Sequence, residues 1–123
     1  KEAEDFQKVV TALKNPIYKI PSGDKSLYHA LCVIGGNFSK ILWQKIHKDF
    51  QKKLQLPSHI LKPYMEETFR DLLIHPEKGL TGPLVRNDVE TINAHQKALE
   101  KDPFLEVYDA FLNTYRSTPG EYQ

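Results

Sequence analysis

Apolar residues recur in steps of three or four along one stretch of the chain: Leu27, Leu31, Ile34, Phe38, Leu42, Ile46, Phe50 and Leu54. That spacing holds them on one side of a 3.6-residue helix, so the pattern predicts a single long helix over residues 24–54. Ala30, Val33 and Ile41 widen the stripe toward a second face. At 1.5 Å per residue the helix extends roughly 45 Å, more than the width of a domain this size. Such a helix is a central spine rather than a surface element. Gly35 and Gly36 fall inside it, each costing about 1 kcal/mol relative to alanine. Either another helix or a ligand comes close at that point, or the helix kinks.

Before the spine, residues 1–14 read as a helix with Ala3, Phe6, Val10 and Leu13 on one face. Asn15-Pro16 stops it, because proline disfavours helical geometry in the residue before it. Residues 17–20 then alternate like a short strand, and Pro21-Ser22-Gly23 turns the chain, with Ser22 or Asp24 as the spine's cap. A lone four-residue strand has nothing here to pair with. Its sheet belongs to a neighbouring domain or another subunit, and the segment reads as the tail of an α/β domain. The chain starts at Lys1 in the middle of an amphipathic pattern, which reads as a piece of a longer protein.

After the spine, Ser58 caps a second helix with Leu61, Met65, Phe69 and Leu72 inward, and Pro63 within its first turns. His75-Pro76 ends it. The glycines and proline of residues 77–88 make a shaped loop. Asn87 with Glu90 three residues on is a capping-box-like start for a third helix, with Val89, Ile92 and Leu99 inward. Asp102-Pro103 starts a fourth, with Phe104, Tyr108, Phe111 and Tyr115 as its stripe and Leu105 and Leu112 alongside. Residues from Ser117 form a polar tail. The class expected is all-α: a long central helix with three or more shorter packed helices, preceded by a helix and short strand left from an α/β domain.

Composition narrows the function. The net charge of +1 comes from interleaved acids and bases, so no electrostatic footprint for nucleic acid or an anionic membrane exists. No run approaches the 18 or so apolar residues of a membrane span, and no signal peptide is visible. Cys32 is the only cysteine; a disulfide framework and a cysteine-rich zinc site are both excluded, and a cytoplasmic setting fits.

Candidate chemistry is sparse. His29, His47, His59, His75 and His95 form no close pair at ligand spacing, so no metal is expected. His47, His59 and His95 sit at polar positions and read as solvated. His29 stands beside Tyr28 in the first turns of the spine, where the helix dipole favours the neutral ring. A neutral imidazole donates at one nitrogen and accepts at the other, which suits a polar ligand; the alternative is a histidine bonded to the chain entering the helix. Arg86 precedes a helix start, an unfavourable place for a cation. It either helps that start hold an anion or pairs with Asp88.

Tyr28-His29-Ala30 opening a long helix, Asn37 two turns later, and Leu80-Thr81-Gly82-Pro83 with Arg86 and Asp88 resemble a known helical domain. It is called domain of unknown function 2520. The resemblance spans roughly residues 17–116, and the Thr-Gly-Pro…Arg-x-Asp block is its most specific part. This chain departs mildly: the family usually has glycine where Asn87 stands, and a run of alanines where this chain has Ala30-Leu31-Cys32.

The resemblance implies an all-helical C-terminal domain of the 6-phosphogluconate dehydrogenase-like kind, following a Rossmann-type domain in NAD(P)-dependent oxidoreductases. Residues 1–22 are then the end of that Rossmann-type domain, and residues 23–123 a helical substrate and dimerisation domain. NAD or NADP is held mainly by the missing domain, and none is expected in this fragment. In relatives of this architecture the helical domain closes over the nicotinamide and commonly dimerises. The expected site has Tyr28, His29 and Asn37 on one wall, with His29 as the catalytic proton donor, and Thr81 and Arg86 opposite, Arg86 on a substrate carboxylate or phosphate. The expected partners are a second copy and a small-molecule substrate, with no nucleic acid and no membrane. The competing readings are a non-catalytic helical interaction or sensing module, and an unrelated four-helix adaptor. An upstream strand followed by a G-x-G-x-x-G turn favours the enzyme.

Overall fold

The computed structural model describes residues 16–121, and the expected helix over 1–14 lies outside the described residues. The all-α class holds: no residue among those described is in a strand. Residues 16–21 have no regular secondary structure. The strand expected at residues 17–20 therefore does not form among them. An extended stretch becomes a strand only when a second one completes its hydrogen bonds, and none of the described residues supplies it. The chain divides into two compact units, residues 1–58 and residues 59–123.

The first unit carries the spine. A 3₁₀ turn at Ser22–Asp24, closed by the Asp24 N–H on the Pro21 carbonyl at 3.0 Å, leads into it. Helix α1 (Lys25–Cys32) is followed by a π-helical segment, Val33–Phe38, and then by α2 (Ser39–Lys52). The residues at both junctions are right-handed helical, so the path is unbroken. Asp24 occupies the cap position without a side-chain cap bond.

The π segment has a cause in the sequence. All but one of the steps between successive apolar residues from Leu27 to Leu54 are four residues long. Each step of four overruns a 3.6-residue turn by roughly 40°, so in a regular α-helix the stripe would wind well around the axis. A π turn, bonded i to i+5, takes up about one extra residue and turns the later part of the stripe back. The glycines lie inside this segment, and a Cβ built on Gly35 or Gly36 meets nothing within 4 Å. Of the two readings of the glycine pair, no close approach is seen among the described residues, and a local irregularity of the helix is. Gly36→Ala in the isolated chain is accordingly expected to raise helix stability by about 1 kcal/mol. Thermal melting followed by circular dichroism checks it; a loss of stability would mean that another surface packs on the glycine.

The spine ends where Gln55 takes a left-handed conformation (φ 54°), with the Leu56 N–H on the Phe50 carbonyl at 2.8 Å and Gln51 Nε2 donating to Ser58 Oγ at 3.2 Å. On α2, Asp49 pairs with Lys45 one turn before it and with Lys53 Nζ one turn after, at 2.9 Å. Their hydrogen bonds, Lys45 foremost, hold the Asp49 carboxyl below its ordinary range.

After a 3₁₀ turn at Ser58–Ile60 come the helices of the second unit, α3 (Leu61–Ile74), α4 (Val89–Ala98) and α5 (Phe104–Ser117). Pro63 sits at the third position of α3, where no intrahelical donor is lost. Asp102 Oδ1 accepts from the Phe104 N–H at 3.0 Å, so the Asp-Pro start of α5 works as its spacing predicts. The core is small: Leu61, Ile92 and Leu112, at 4%, 2% and 4% exposure, are the buried hydrophobic residues among those described. One comes from each helix. On α5 the inward residue is Leu112, while Phe111, expected in the stripe, is exposed.

Polar bonds fasten α4 to α5. His95 Nδ1 and the Tyr108 hydroxyl lie 3.0 Å apart with their rings edge to face, and Gln96 Nε2 donates to Asp109 Oδ1 at 2.7 Å. His95 is exposed, as its polar position implies, but it is engaged rather than simply solvated.

Candidate functional site

Five residues carry the chemistry expected from the sequence, and all five are exposed. Tyr28, His29 and Asn37 belong to the first unit, and Thr81 and Arg86 to the second. Tyr28 and His29 are in α1, ahead of the π segment that holds Asn37. Eight residues of regular α-helix would set Asn37 about 80° around the axis from His29. The extra residue taken up by the π turn removes most of that offset, so Asn37 lies nearly in line with His29, two turns along. This alignment is a product of the glycine-containing segment.

Cys32 lies one turn beyond Tyr28, and its sulfur, first as a hydrogen-bonding neighbour and then as a thiolate charge, pushes the phenol above its ordinary range. Tyr28 therefore stays a protonated hydroxyl at neutral pH. Cys32 was absent from the expected site, although its i, i+4 spacing from Tyr28 is a readable signal. His29 makes no side-chain hydrogen bond to a described residue.

In the second unit the loop after α3 is wound tightly from Gly82 to Asp88. The Arg86 N–H reaches the Gly82 carbonyl at 3.2 Å, the Asn87 N–H reaches Leu84 at 3.2 Å, and the Asp88 N–H reaches Pro83 at 2.9 Å. Gly82 has φ 100° and Asn87 φ 50°. These are conformations that glycine adopts freely and asparagine tolerates better than most residues.

The α4 cap is Asp88, one residue later than the Asn87 start read from the sequence. Asp88 Oδ1 accepts from the Thr91 N–H at 3.1 Å, and Oδ2 from the Thr91 hydroxyl at 2.8 Å. Asn87 cannot take the role, because a cap residue needs extended backbone and Asn87 is left-handed. The Thr91 N–H first, then its hydroxyl, and the nearby charge of Arg86 hold the Asp88 carboxyl below its ordinary range. A depressed carboxylate contributes above its unfolded-state value and loses that contribution as pH falls through the lowered folded one. The cap is therefore intact at neutral and mildly acidic pH.

Arg86 makes no ion pair with a described residue. Of the two alternatives for this side chain, pairing with Asp88 is not the one adopted: Asp88 is turned to Thr91. The guanidinium remains an open, planar donor set suited to a carboxylate or phosphate. Thr81 lies on the exposed approach to the same turn.

Among the described residues, no group of three or more histidine, cysteine, aspartate or glutamate side chains is placed to hold a metal ion. No described helix is long and apolar enough to cross a membrane.

Among curated proteins, none matches the chain. Among solved structures, it is similar to the crystal structure named "putative NADP oxidoreductase BF3122" from Bacteroides fragilis, with a TM-score of 0.80 and 24% sequence identity. The match covers 95% of this chain but 46% of that one, so this chain spans just under half the length of its structural neighbour. At that identity the likeness establishes the fold. The family described as Domain of unknown function (DUF2520) matches residues 1–114, and the chain belongs to that family.

Proposed function

We propose that this chain is the helical, substrate-side part of an NADP-dependent oxidoreductase of the cytoplasm. On this reading residues 1–22 end a dinucleotide-binding domain, residues 23–123 form the substrate and dimerisation domain, and this chain alone turns nothing over. The unpaired Arg86 guanidinium, on a loop tied by three backbone bonds, carries the reading. It is supported by the family membership and by the name and double length of the structural neighbour.

The dinucleotide, held by the other domain, supplies or accepts the hydride. The residues of this chain do the rest. Arg86 binds an anionic group of the substrate and fixes its orientation, worth more at a planar bidentate contact than a point charge would be. His29 holds the proton that a carbonyl or imine takes up as hydride adds to its carbon, and receives it back in the reverse direction. Tyr28, protonated beside it, donates to the same polar group, while Asn37 and Thr81 orient substrate hydroxyl or carbonyl groups. The reading also pairs two copies through the apolar stripe of the spine, with Trp43 near the contact.

The test uses the full-length protein with NADPH and a panel of 2-keto acids and cyclic imines, following cofactor absorbance. His29→Ala is expected to lower kcat by about 100-fold, the scale of a lost general acid. Arg86→Ala is expected to raise KM more than it lowers kcat. Unchanged turnover and unchanged KM in both variants, with the fold intact, would make this a non-catalytic module.

A further inference from the structure

Arg86 and Asp88 are two residues apart on a surface loop and opposite in charge, and although the charge of Arg86 lowers the Asp88 carboxyl, the two make no ion-pair contact. The reason lies in α4. Both oxygens of Asp88 are occupied by one residue, Thr91, through its N–H at 3.1 Å and its hydroxyl at 2.8 Å. The backbone around Arg86 is held independently, by the bonds from Arg86 to Gly82, Asn87 to Leu84 and Asp88 to Pro83. Glu90, the other acid in the first turn of α4, makes no ion pair with Arg86 either.

A cap needs only the first of the two Thr91 bonds. The hydroxyl bond to Oδ2 adds little that an N-cap requires, but it fixes the rotation of the carboxylate on the helix start and so holds it out of ion-pair contact with the guanidinium. We propose that Asp88 and Thr91 are a positioning pair for Arg86: Thr91 draws the carboxylate onto the helix start and so keeps the guanidinium open for the carboxylate or phosphate of a substrate. The inference rests on the oxidoreductase reading for what that anion belongs to, and deepens it by naming what keeps the anion site free.

The arrangement separates two roles that Asp88 would otherwise combine. As a cap it can be replaced by asparagine, which accepts from the Thr91 N–H equally well. As a counter-charge it competes with the ligand, and asparagine does not. Thr91→Val keeps the backbone bond and the side-chain shape but frees Asp88 Oδ2. Asp88 then pairs with Arg86 and occludes it.

The experiment titrates the full-length protein with inorganic phosphate and, separately, with malonate, reading the Arg86 Nε–Hε NMR signal. That signal, assigned by its absence in Arg86→Ala, isolates this site from any dinucleotide phosphate site. Thr91→Val is expected to weaken anion binding at Arg86 by about threefold, the scale of competition from an exposed ion pair. Thr91→Ser, which keeps the hydroxyl, should bind as the native protein does. Adding Asp88→Asn to Thr91→Val should restore native affinity or exceed it, although it removes an acid from the cap. A purely structural role for Thr91 predicts no rescue by the second substitution. Native affinity in Thr91→Val, failure of the double variant to rescue, or no response of Arg86 to either anion would each overturn the proposal. Anion binding at Arg86 with turnover unaffected in Arg86→Ala would overturn the catalytic reading alone.

Discussion

Ile92→Ala is expected to lower the stability of the second unit by about 3 kcal/mol, a loss of more than 100-fold in its folded-to-unfolded ratio. Ile92 is 2% exposed, and only Leu61 and Leu112 share that degree of burial among the described hydrophobic residues. A core that small cannot redistribute a lost side chain over many neighbours, so the cavity left behind stays open and its cost adds to the lost transfer energy. Leu112→Ala should cost a similar amount. Phe111→Ala, one residue earlier on α5 and exposed, should cost under about 1 kcal/mol despite removing a larger side chain. Urea titration followed by circular dichroism measures all three. A larger loss at Phe111 than at Leu112 would mean that α5 presents its other face to the core.

If the full-length protein forms the dimer proposed above, glutamate at both Ile34 and Phe38 is expected to convert it to monomers, raising the dissociation constant by about 1,000-fold or more. Leu27, Leu31, Ile34, Phe38 and Ile41 each leave half or more of their surface exposed. Residues 26–39 contain no aspartate, glutamate, lysine or arginine. A contiguous uncharged apolar face of this kind marks an association surface. Burying each large apolar side chain contributes about 2 kcal/mol, and a two-fold contact counts every substitution twice. Charges placed there lose the burial and add desolvation, which together exceed the 4 kcal/mol or so that a 1,000-fold change requires. Lys48→Glu, on the exposed polar side of α2, is the control and should leave the association intact. Sedimentation across a concentration series decides it: a native protein that stays monomeric at high concentration would remove the spine from the interface.

Much of the architecture follows from sequence because it depends on interactions within a few residues. The spine's extent, the Asp102-Pro103 start of α5, the stop at His75-Pro76 and the wound loop around Gly82 each rest on a local backbone preference or a period that nearby residues complete. So does the placing of Tyr28, His29, Asn37, Thr81 and Arg86 on two separate stretches. The overrun of the apolar steps also contained the π turn, since a stripe written in fours demands an extra residue somewhere and the glycine pair is where a helix yields. Other features depended on atoms brought together from a distance, or on a choice among equally good local options. Asp88 and Asn87 are both good caps by residue type. The left-handed backbone at Asn87, set by bonds back to Gly82, Pro83 and Leu84, decided between them. Leu112 and Phe111 are both apolar, and only the packing of α5 decided which one is buried. His95 met Tyr108 across thirteen residues, a pairing with no local signal. The orientation of Asp88 belongs to the same class: charge and spacing favour a close pair with Arg86, and the Thr91 hydroxyl, presented by the first turn of α4, holds the carboxylate on the helix start instead.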